Sequence, residues 1–214
     1  MTSPKDYELR TIEGRTANEF QMVGHYLHRK AQAMFAYGMF DGDEMIGCVI
    51  FGKPASRALC IGLCGVEEAV RVLELTRLWI KDGTPKNTES RLIGFGLRSL
   101  PREYDIIVSY AEIGAGHIGV VYQATNWIYT GMSDKHVEWN IDGQPAKHTR
   151  HLFDEFGGVN GAKAHFGSRM TRGERPRKHR YVMFRGSKGR RKELMSKLNY
   201  TVLPYPKATD TIEA

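Results

Sequence analysis

The sequence is poor in cysteine and contains neither a long hydrophobic run nor an internal repeat, and each absence excludes a class of protein. Its 214 residues include three cysteines, and an odd number without a signal peptide is not expected of a secreted domain held by disulfides. No stretch approaches the roughly 20 apolar residues that a membrane span needs, and MTSPKDYELR has no apolar run behind a basic segment. We therefore expect a cytoplasmic protein that folds on its own.

The cysteines do not predict a metal centre. Cys60 and Cys64 are spaced C-x3-C, and no second Cys or His pair at zinc-finger spacing accompanies them. We interpret them as small buried residues of a strand or turn.

Positive charge is concentrated in the C-terminal third of the chain. Residues 147–197 contain 15 Lys and Arg against 4 Asp and Glu, whereas the remainder contains 16 against 20. Such a block favours a polyanionic partner, because phosphates that are neutralised release their condensed counterions; a basic face kept for solubility is the alternative. The residues assigned to phosphate contact are Arg150, Arg169, Arg172, Arg175, Arg177, Lys178, Arg180, Lys188, Arg190, Arg191 and Lys192.

The hydrophobic pattern predicts an α/β protein with a mixed sheet. Its elements follow the order strand, helix, hairpin, strand, helix, strand, helix, strand, which resembles the GNAT acyltransferase fold. We expect a GNAT-like core over residues 1–146, a basic C-terminal elaboration of the same domain over 147–203, and a flexible tail over 204–214.

Several local predictions accompany this outline. Thr16 and Glu19 form a capping box for the first helix, Asp41-Gly42 turns a hairpin, and DIIVSY (105–110) is a buried central strand. A second hairpin is predicted around Asp142-Gly143, with arms at 137–140 and 144–148, followed by a basic loop over 156–173.

One short motif indicates a cofactor. Arg91, Gly94 and Gly96 match R-x-x-G-x-G, the pattern with which GNAT enzymes hold the pyrophosphate of acetyl-CoA. The apolar stripe of this segment, however, puts all three residues inside a helix, where the N–H groups are already bonded. Pyrophosphate binding and an accidental match both stay open.

Reactive side chains gather where two strands end. Glu74, Thr76 and Arg77 lie on one strand, Ser109, Tyr110 and Glu112 on the next, and His117, Tyr122, Gln123 and Asn126 in the loop and helix that follow. Ligands of open α/β sheets collect beyond the carboxyl ends of the strands. We expect a catalytic site there, with Glu112 or His117 as base and Tyr122 as acid. Tyr122, Trp127 and Tyr129 could instead fill the core.

The same segments resemble a known family. ELTRLWIKDGTPKNTES, VSYAE and GHIGVVYQATNWIYTG, within residues 70–131, resemble the phage Mom-type DNA modification proteins. The resemblance implies a GNAT-like transferase that converts adenine in phage DNA to N6-(carbamoylmethyl)adenine and so protects that DNA from restriction. It assigns functional roles to His25, Tyr26, Arg77, Glu112 and Tyr122, and it implies iron held by His25, Tyr26, Glu112 and Tyr122.

The implied product suggests a route. A glycyl group transferred to N6 of adenine would rearrange to the carbamoylmethyl isomer, with glycyl-tRNA or an acyl-CoA as donor and double-stranded DNA as acceptor. Arg77 and Ser109 would hold the donor, and Tyr26, Tyr110 or Trp127 would stack on a flipped base. The alternatives are an acetyl-CoA-dependent acyltransferase acting on a protein or small amine, and a non-catalytic nucleic-acid-binding protein.

Overall fold

The computed structural model describes residues 3–25, 29–113, 116–142 and 153–207. The strands are β1 (Glu8–Ile12), β2 (Phe35–Asp41), β3 (Glu44–Gly52), β4 (Val72–Ile80), β5 (Ile106–Glu112), β6 (Ile128–Met132), β7 (His136–Ile141), β8 (Met170–Arg175) and β9 (Lys178–Phe184). The helices are α1 (Gly14–Gly24), α2 (Arg57–Cys64), α3 (Thr88–Ser99), α4 (Val120–Ala124), α5 (Val159–Phe166) and α6 (Lys188–Lys197).

Seven strands form one sheet in the order β1-β2-β3-β4-β5-β9-β6. The pair β4 and β5 is parallel, and every other neighbouring pair is antiparallel. This mixed sheet, with helices connecting its strands, is the predicted GNAT-like fold. Strand β5 is central, as its unbroken apolar run predicted: Ile106, Ile107 and Val108 are fully buried.

Helix α3 packs closely on the sheet because its buried face carries a glycine. A Cβ at Gly96 would lie 2.8 Å from the ring of Phe51 and 3.1 Å from Val49. Leu92 and Ile93, on the same face, are fully buried in the main core. The predicted apolar stripe of this helix therefore covers the sheet.

The strands β4 and β5 separate after a short stretch of pairing. Only Val72 to Glu74 of β4 pair with β5, although both strands continue beyond that point. Where they part, the Ser109 hydroxyl donates a hydrogen bond of 2.9 Å to the carbonyl of Leu75. The separation opens a cleft at the carboxyl ends of the two strands.

An insertion between β6 and β9 forms a second, two-stranded sheet. Strand β7 pairs with β8, and Ile141, Ala162, Phe166 and Met170 form a core of their own beneath α5. The first arm of the predicted hairpin around Asp142-Gly143, 137–140, lies in β7, while its second arm, 144–148, lies outside the described residues. The predicted loop over 156–173 is wrong, since it contains α5 and part of β8.

Two predictions near the N-terminal half are corrected as well. Thr16 is inside α1, whose N-cap is Glu13, and Glu19 pairs with Arg15 on the helix surface at 2.8 Å. The cysteines Cys60 and Cys64 lie in helix α2, not in a strand or turn. Burial raises the pKa of Cys64 to about 11, which is expected of an unreactive thiol.

The segment after α6 lies against the sheet. The Leu203 amide donates to the carbonyl of Tyr129 at 3.0 Å, and the Tyr205 hydroxyl donates to the carbonyl of Trp127 at 2.7 Å. Residues 204–207, expected in a flexible tail, thus include a contact with Trp127, which immediately precedes β6, while 208–214 lie outside the described residues. None of the helices described is both long enough and apolar enough to cross a membrane.

Candidate active site

The cleft between β4 and β5 has a volume of about 380 Å³. It brings together most of the predicted catalytic residues. Its polar lining consists of His25, Glu74, Thr76, Arg77, Tyr110, Glu112, His117, Tyr122 and Lys178. The rule that ligands collect at strand ends therefore located the cleft.

Two carboxylates and two cations line the cleft: Glu74 and Arg77 from β4, Glu112 from β5 and Lys178 from β9. Lys178 Nζ donates to Glu112 Oε2 at 3.1 Å, and both side chains are about one-fifth exposed. Burial raises the pKa of Glu74, an effect that the nearby charges of Lys178 and Arg77 oppose. Burial thus favours the protonated form of Glu74, while the Glu112 carboxylate lies in an ion pair with Lys178.

The sequence did not reveal the roles of two cleft residues, Lys178 and Glu74. Lys178 was assigned to phosphate contact, but it begins β9 and pairs with Glu112, 66 residues away. Only the pairing of β9 with β5 brings them together. Glu74 could have been found from the alternation of β4, because it shares a sheet face with the buried Val72.

A chain of hydrogen bonds runs from the cleft into the gap between the strands. Ser109 Oγ lies 2.8 Å from the hydroxyl of Tyr122 and 2.9 Å from the carbonyl of Leu75. The carbonyl can only accept, and Ser109 has one proton, so Tyr122 donates to Ser109. Ser109 and Tyr122 are 1% and 7% exposed, and this chain fixes the orientation of the Tyr122 hydroxyl.

The loop that carries His117 is held from behind by Tyr181. Burial raises the pKa of Tyr181 to about 12, so its hydroxyl keeps its proton and donates to the carbonyl of Ile118. Gln123 Nε2 donates to the same carbonyl at 3.1 Å. Gly119 then turns the chain with φ +77° into α4. These contacts fix the loop between β5 and Tyr122.

The two histidines of the site differ in exposure. His25 ends α1 and is 8% exposed, whereas His117 is exposed on its loop. Tyr110 lines the cleft beside Glu74, and burial together with the charge of Glu74 raises its pKa, so the phenol stays neutral. Tyr26 lies outside the described residues.

Two predicted site residues have other roles. Asn126 is exposed, does not line the cleft, and has φ +59°, a left-handed conformation that asparagine tolerates at the end of a helix. Trp127 is fully buried against Tyr122, with ring centroids 5.1 Å apart. Stacking of Trp127 on a flipped base is therefore excluded, and its interpretation as a core residue is right.

The glycine motif does not form a pyrophosphate site. Arg91, Gly94 and Gly96 lie in the middle of α3, which begins at Thr88. The guanidinium of Arg91 donates to the carbonyl of Tyr7 at 2.6 Å and to those of Pro4 and Lys5. Arg91 thus fixes the N-terminal segment, Gly96 allows close packing, and the residues do not fit the pyrophosphate of acetyl-CoA.

Three of the residues that the resemblance implies as iron ligands, His25, Glu112 and Tyr122, line the cleft, and the fourth, Tyr26, lies outside the described residues. The Glu112 carboxylate pairs with Lys178, and the Tyr122 hydroxyl is bonded to Ser109. Among the described residues, no group of three or more His, Cys, Asp and Glu side chains could hold a metal.

The basic residues assigned to phosphate contact divide into engaged and exposed side chains. Arg180 is 5% exposed; it donates to Thr130 and lies 3.5 Å from the centre of the Tyr200 ring. Arg190 binds Glu68 and Asp105, so phosphate contact by Arg180 and Arg190 is contradicted. Arg177 donates to the carbonyl of Ser133 at 2.7 Å and is partly buried.

Five of the side chains assigned to phosphate contact are exposed: Arg169, Arg172, Lys188, Arg191 and Lys192. The side chain of Arg175 and all of Arg150 lie outside the described residues.

The insertion places part of this charge near the cleft. Its two ends meet where Ser133 and Lys178 exchange hydrogen bonds of 2.7 and 3.0 Å, next to Glu112. Within it, Lys163 and Arg172 lie 4.9 and 5.0 Å from the centre of the Trp139 ring. The insertion thus extends from the cleft end of the sheet and carries cations stacked on an aromatic ring.

Comparisons with known proteins agree with the resemblance found in the sequence. Residues 6–207 match the model of the Mom protein family. A curated relative, methylcarbamoylase mom of Escherichia phage Mu, is 27% identical over 207 residues, which is 95% of this chain and 85% of the relative.

Solved structures similar to the chain include acetyltransferases. A GNAT family acetyltransferase from Elizabethkingia anophelis with acetyl-CoA bound has a TM-score of 0.45 and 10% identity, over 84% of this chain and 99% of that one. An N-acetyltransferase from Staphylococcus aureus Mu50 has a TM-score of 0.47 and 9% identity, over 83% and 98%.

Proposed function

The chain belongs to the Mom protein family, and from that premise we propose that it is a transferase that modifies adenine at N6 in double-stranded DNA. The product is N6-(carbamoylmethyl)adenine, which protects phage DNA from restriction. The observation that carries the proposal is the cleft between β4 and β5, where a proton acceptor, cations and a buried tyrosine converge. No other described cavity combines these groups.

The first chemical requirement is removal of a proton from the N6 amine, which is a poor nucleophile. Glu74 fits this role best, because burial raises its pKa above the ordinary value and Tyr110 and Arg77 lie beside it. Glu112, held by Lys178 at 3.1 Å, keeps the local charge balanced and orients Lys178 toward the cleft. His117 is the alternative base on the opposite side of the cleft.

The second requirement is stabilisation of the oxygen that gains charge during transfer. Tyr122 presents its hydroxyl at the cleft with its proton directed to Ser109. An acyl oxygen bound in the cleft would replace Ser109 as the acceptor, so Tyr122 would stabilise the oxyanion and protonate the leaving oxygen. Ser109 is therefore a resting acceptor for the Tyr122 proton, rather than a nucleophile.

The size of the cleft fits one nucleobase and excludes a duplex. A volume of about 380 Å³ is at the lower end of ligand pockets, and N6 lies inside the stacked duplex. The target adenine must therefore leave the helix to reach Glu74. Exposed Arg169 and Arg172 on the insertion would hold the neighbouring phosphates.

The donor is an activated acyl group, and glycyl-tRNA is the donor that the product suggests. Pyrophosphate binding by the glycine motif is not available to an acyl-CoA, because Arg91 is bonded to backbone carbonyls. Purified protein is incubated with duplex DNA and either charged glycyl-tRNA or acetyl-CoA. If acetyl-CoA supports adduct formation and glycyl-tRNA does not, the alternative of an acetyl-CoA-dependent acyltransferase is favoured.

Mass analysis of nucleosides from cells that express the protein tests the activity itself. The wild type and Arg102→Gln, an exposed residue far from the cleft, are expected to give an adenine adduct of carbamoylmethyl mass. Tyr122→Phe and Glu74→Gln are expected to abolish it. Absence of the adduct in wild-type cells would refute the proposal, and DNA binding without any adduct would favour a non-catalytic protein.

A further inference from the structure

Helix α6 is fixed to the sheet through its inner face. Leu194 is fully buried in the core on this side of the sheet. Arg190 binds Asp105 at 2.9 Å, and Lys197 binds Glu68 at 2.6 Å. Both carboxylates are buried, with side chains 5% and 7% exposed, so these ion pairs hold α6 in one position.

The outer face of α6 carries cations that are not used in this attachment. Lys188, Arg191 and Lys192 are spaced i, i+3, i+4, so they share one helix face, and all three are exposed. No ion pair joins any of them to another described residue. The acid of this helix, Glu193, is already bonded to Arg190 and Lys197.

Like charges at this spacing destabilise an isolated helix. A bound anion would reverse that cost. Across a groove of about 340 Å³ lined by Gly94, Leu97 and Met183, the exposed Arg98 faces the same region as Arg191. The surface therefore presents four cations from two helices, and we call it the α6 face: Arg98, Lys188, Arg191 and Lys192.

The α6 face begins at the end of the sheet opposite to the cleft. On β5, Glu112 pairs with Lys178 and Ile106 pairs with Phe184, and these two positions are about 20 Å apart at 3.3 Å per residue. Helix α6 starts just beyond Phe184 and runs back toward the cleft, since Tyr200 lies over Arg180, the β9 partner of Tyr110. The exposed cations of α6 thus lie on a helix that runs from the far end of the sheet toward the cleft.

We infer that the α6 face binds the phosphate backbone of the DNA that flanks the target base. This inference rests on the proposed function, because it takes the duplex entering the cleft as the ligand. Phosphates of one strand repeat every 3.4 Å along the helix axis, and Lys188 to Lys192 span about 6 Å of α6. Long flexible cations at this spacing reach two or three successive phosphates, whereas a compact anion would need only one.

Fluorescence anisotropy with two DNA lengths tests the inference. A hairpin duplex of about 8 base pairs, centred on an adenine, reaches roughly 14 Å to each side and should not contact the far cations. A duplex of about 30 base pairs should. The triple variant Lys188→Gln, Arg191→Gln, Lys192→Gln is expected to bind the long duplex more weakly, with a salt slope reduced by about 2 to 3, and to bind the short duplex as the wild type does.

The matched control is Arg169→Gln, Arg172→Gln on the insertion, which should weaken binding of both lengths. An unchanged salt slope of the triple variant on the long duplex would overturn the inference, as would an equal loss on both duplexes. Unaltered thermal melting of the variant excludes misfolding as the cause. Binding does not require turnover, so a wild type that binds DNA but forms no adduct would refute the proposed reaction and leave this test intact.

Discussion

Replacing Gly119 by alanine should disrupt the loop that carries His117. Gly119 has φ +77°, and a Cβ there would lie 2.4 Å from Cε2 of Tyr181 and 2.9 Å from its hydroxyl oxygen. The left-handed conformation costs alanine about 1 to 2 kcal/mol. The Tyr181 ring cannot move aside without losing contacts. It is fully buried, its centroid lies 5.2 Å from that of the Tyr122 ring, and its hydroxyl donates to the carbonyl of Ile118.

Forcing an extra methyl group into such packing typically costs a further 1 to 3 kcal/mol, so we expect Gly119→Ala to lose about 2 to 5 kcal/mol of unfolding free energy. Gly116→Ala is the matched control: its φ is +73°, but nothing lies within 4 Å of its Cβ. The control should lose only the conformational cost. Urea unfolding of both variants, together with adduct formation, measures the difference.

Equal losses for the two variants would refute the role of Tyr181 in shaping the loop. A second variant keeps the test valid if Gly119→Ala does not fold. Tyr181→Leu removes the ring atoms that the new methyl group would strike. In a double-mutant cycle, the double variant should therefore be more stable than the sum of the single effects predicts. Strict additivity would contradict the clash.

Three further changes probe the neighbouring structure. Burial raises the pKa of Glu74 above 4.5, so the folded protein keeps this proton over a pH range in which the unfolded chain loses it. The free energy of unfolding should therefore fall as pH rises through that range. Urea unfolding measured from pH 4 to 8 should show this pH dependence in the wild type and not in Glu74→Gln. Ser109→Ala, which breaks the link to Leu75, should lose about 1 to 2 kcal/mol of unfolding free energy in the same assay. Arg190→Met leaves buried Glu68 short of a partner, and calorimetry should show a loss of about 3 kcal/mol.

The parts of the fold that depend on local pattern could be predicted from the sequence. The Asp41-Gly42 hairpin, strand β4 and the apolar run of β5 each carry their signal within a few residues, and the structure confirms them. The pairing of β7 with β8 across 28 intervening residues could not be predicted, because no local signal distinguishes it from a short hairpin at Asp142. Helix α2 was missed because its eight residues include Gly62 and two cysteines, which weaken the helical pattern.

In the candidate site too, the residues with a local sequence signal could be predicted, and those that depend on long-range strand pairing could not. The rule that ligands collect at strand ends located Tyr110, Glu112 and Tyr122 in one cleft. The same rule could not find Lys178, because Lys178 reaches the cleft only through the pairing of β9 with β5. It also counted Asn126 as reactive, although a polar side chain at a loop position can serve backbone conformation alone.

The charge of the C-terminal third also overstates the number of phosphate contacts. Eleven basic residues were assigned to phosphate, but Arg177, Lys178, Arg180 and Arg190 are bonded within the protein. Because each phosphate contact contributes about 0.9 to the salt slope, eleven contacts would give roughly 10, whereas the seven others together with Arg98 of the α6 face give at most about 7. A measured slope near 10 on long DNA would mean that the internal ion pairs open on binding. A slope of about 7 or less is the result expected if Arg190 keeps α6 on the sheet.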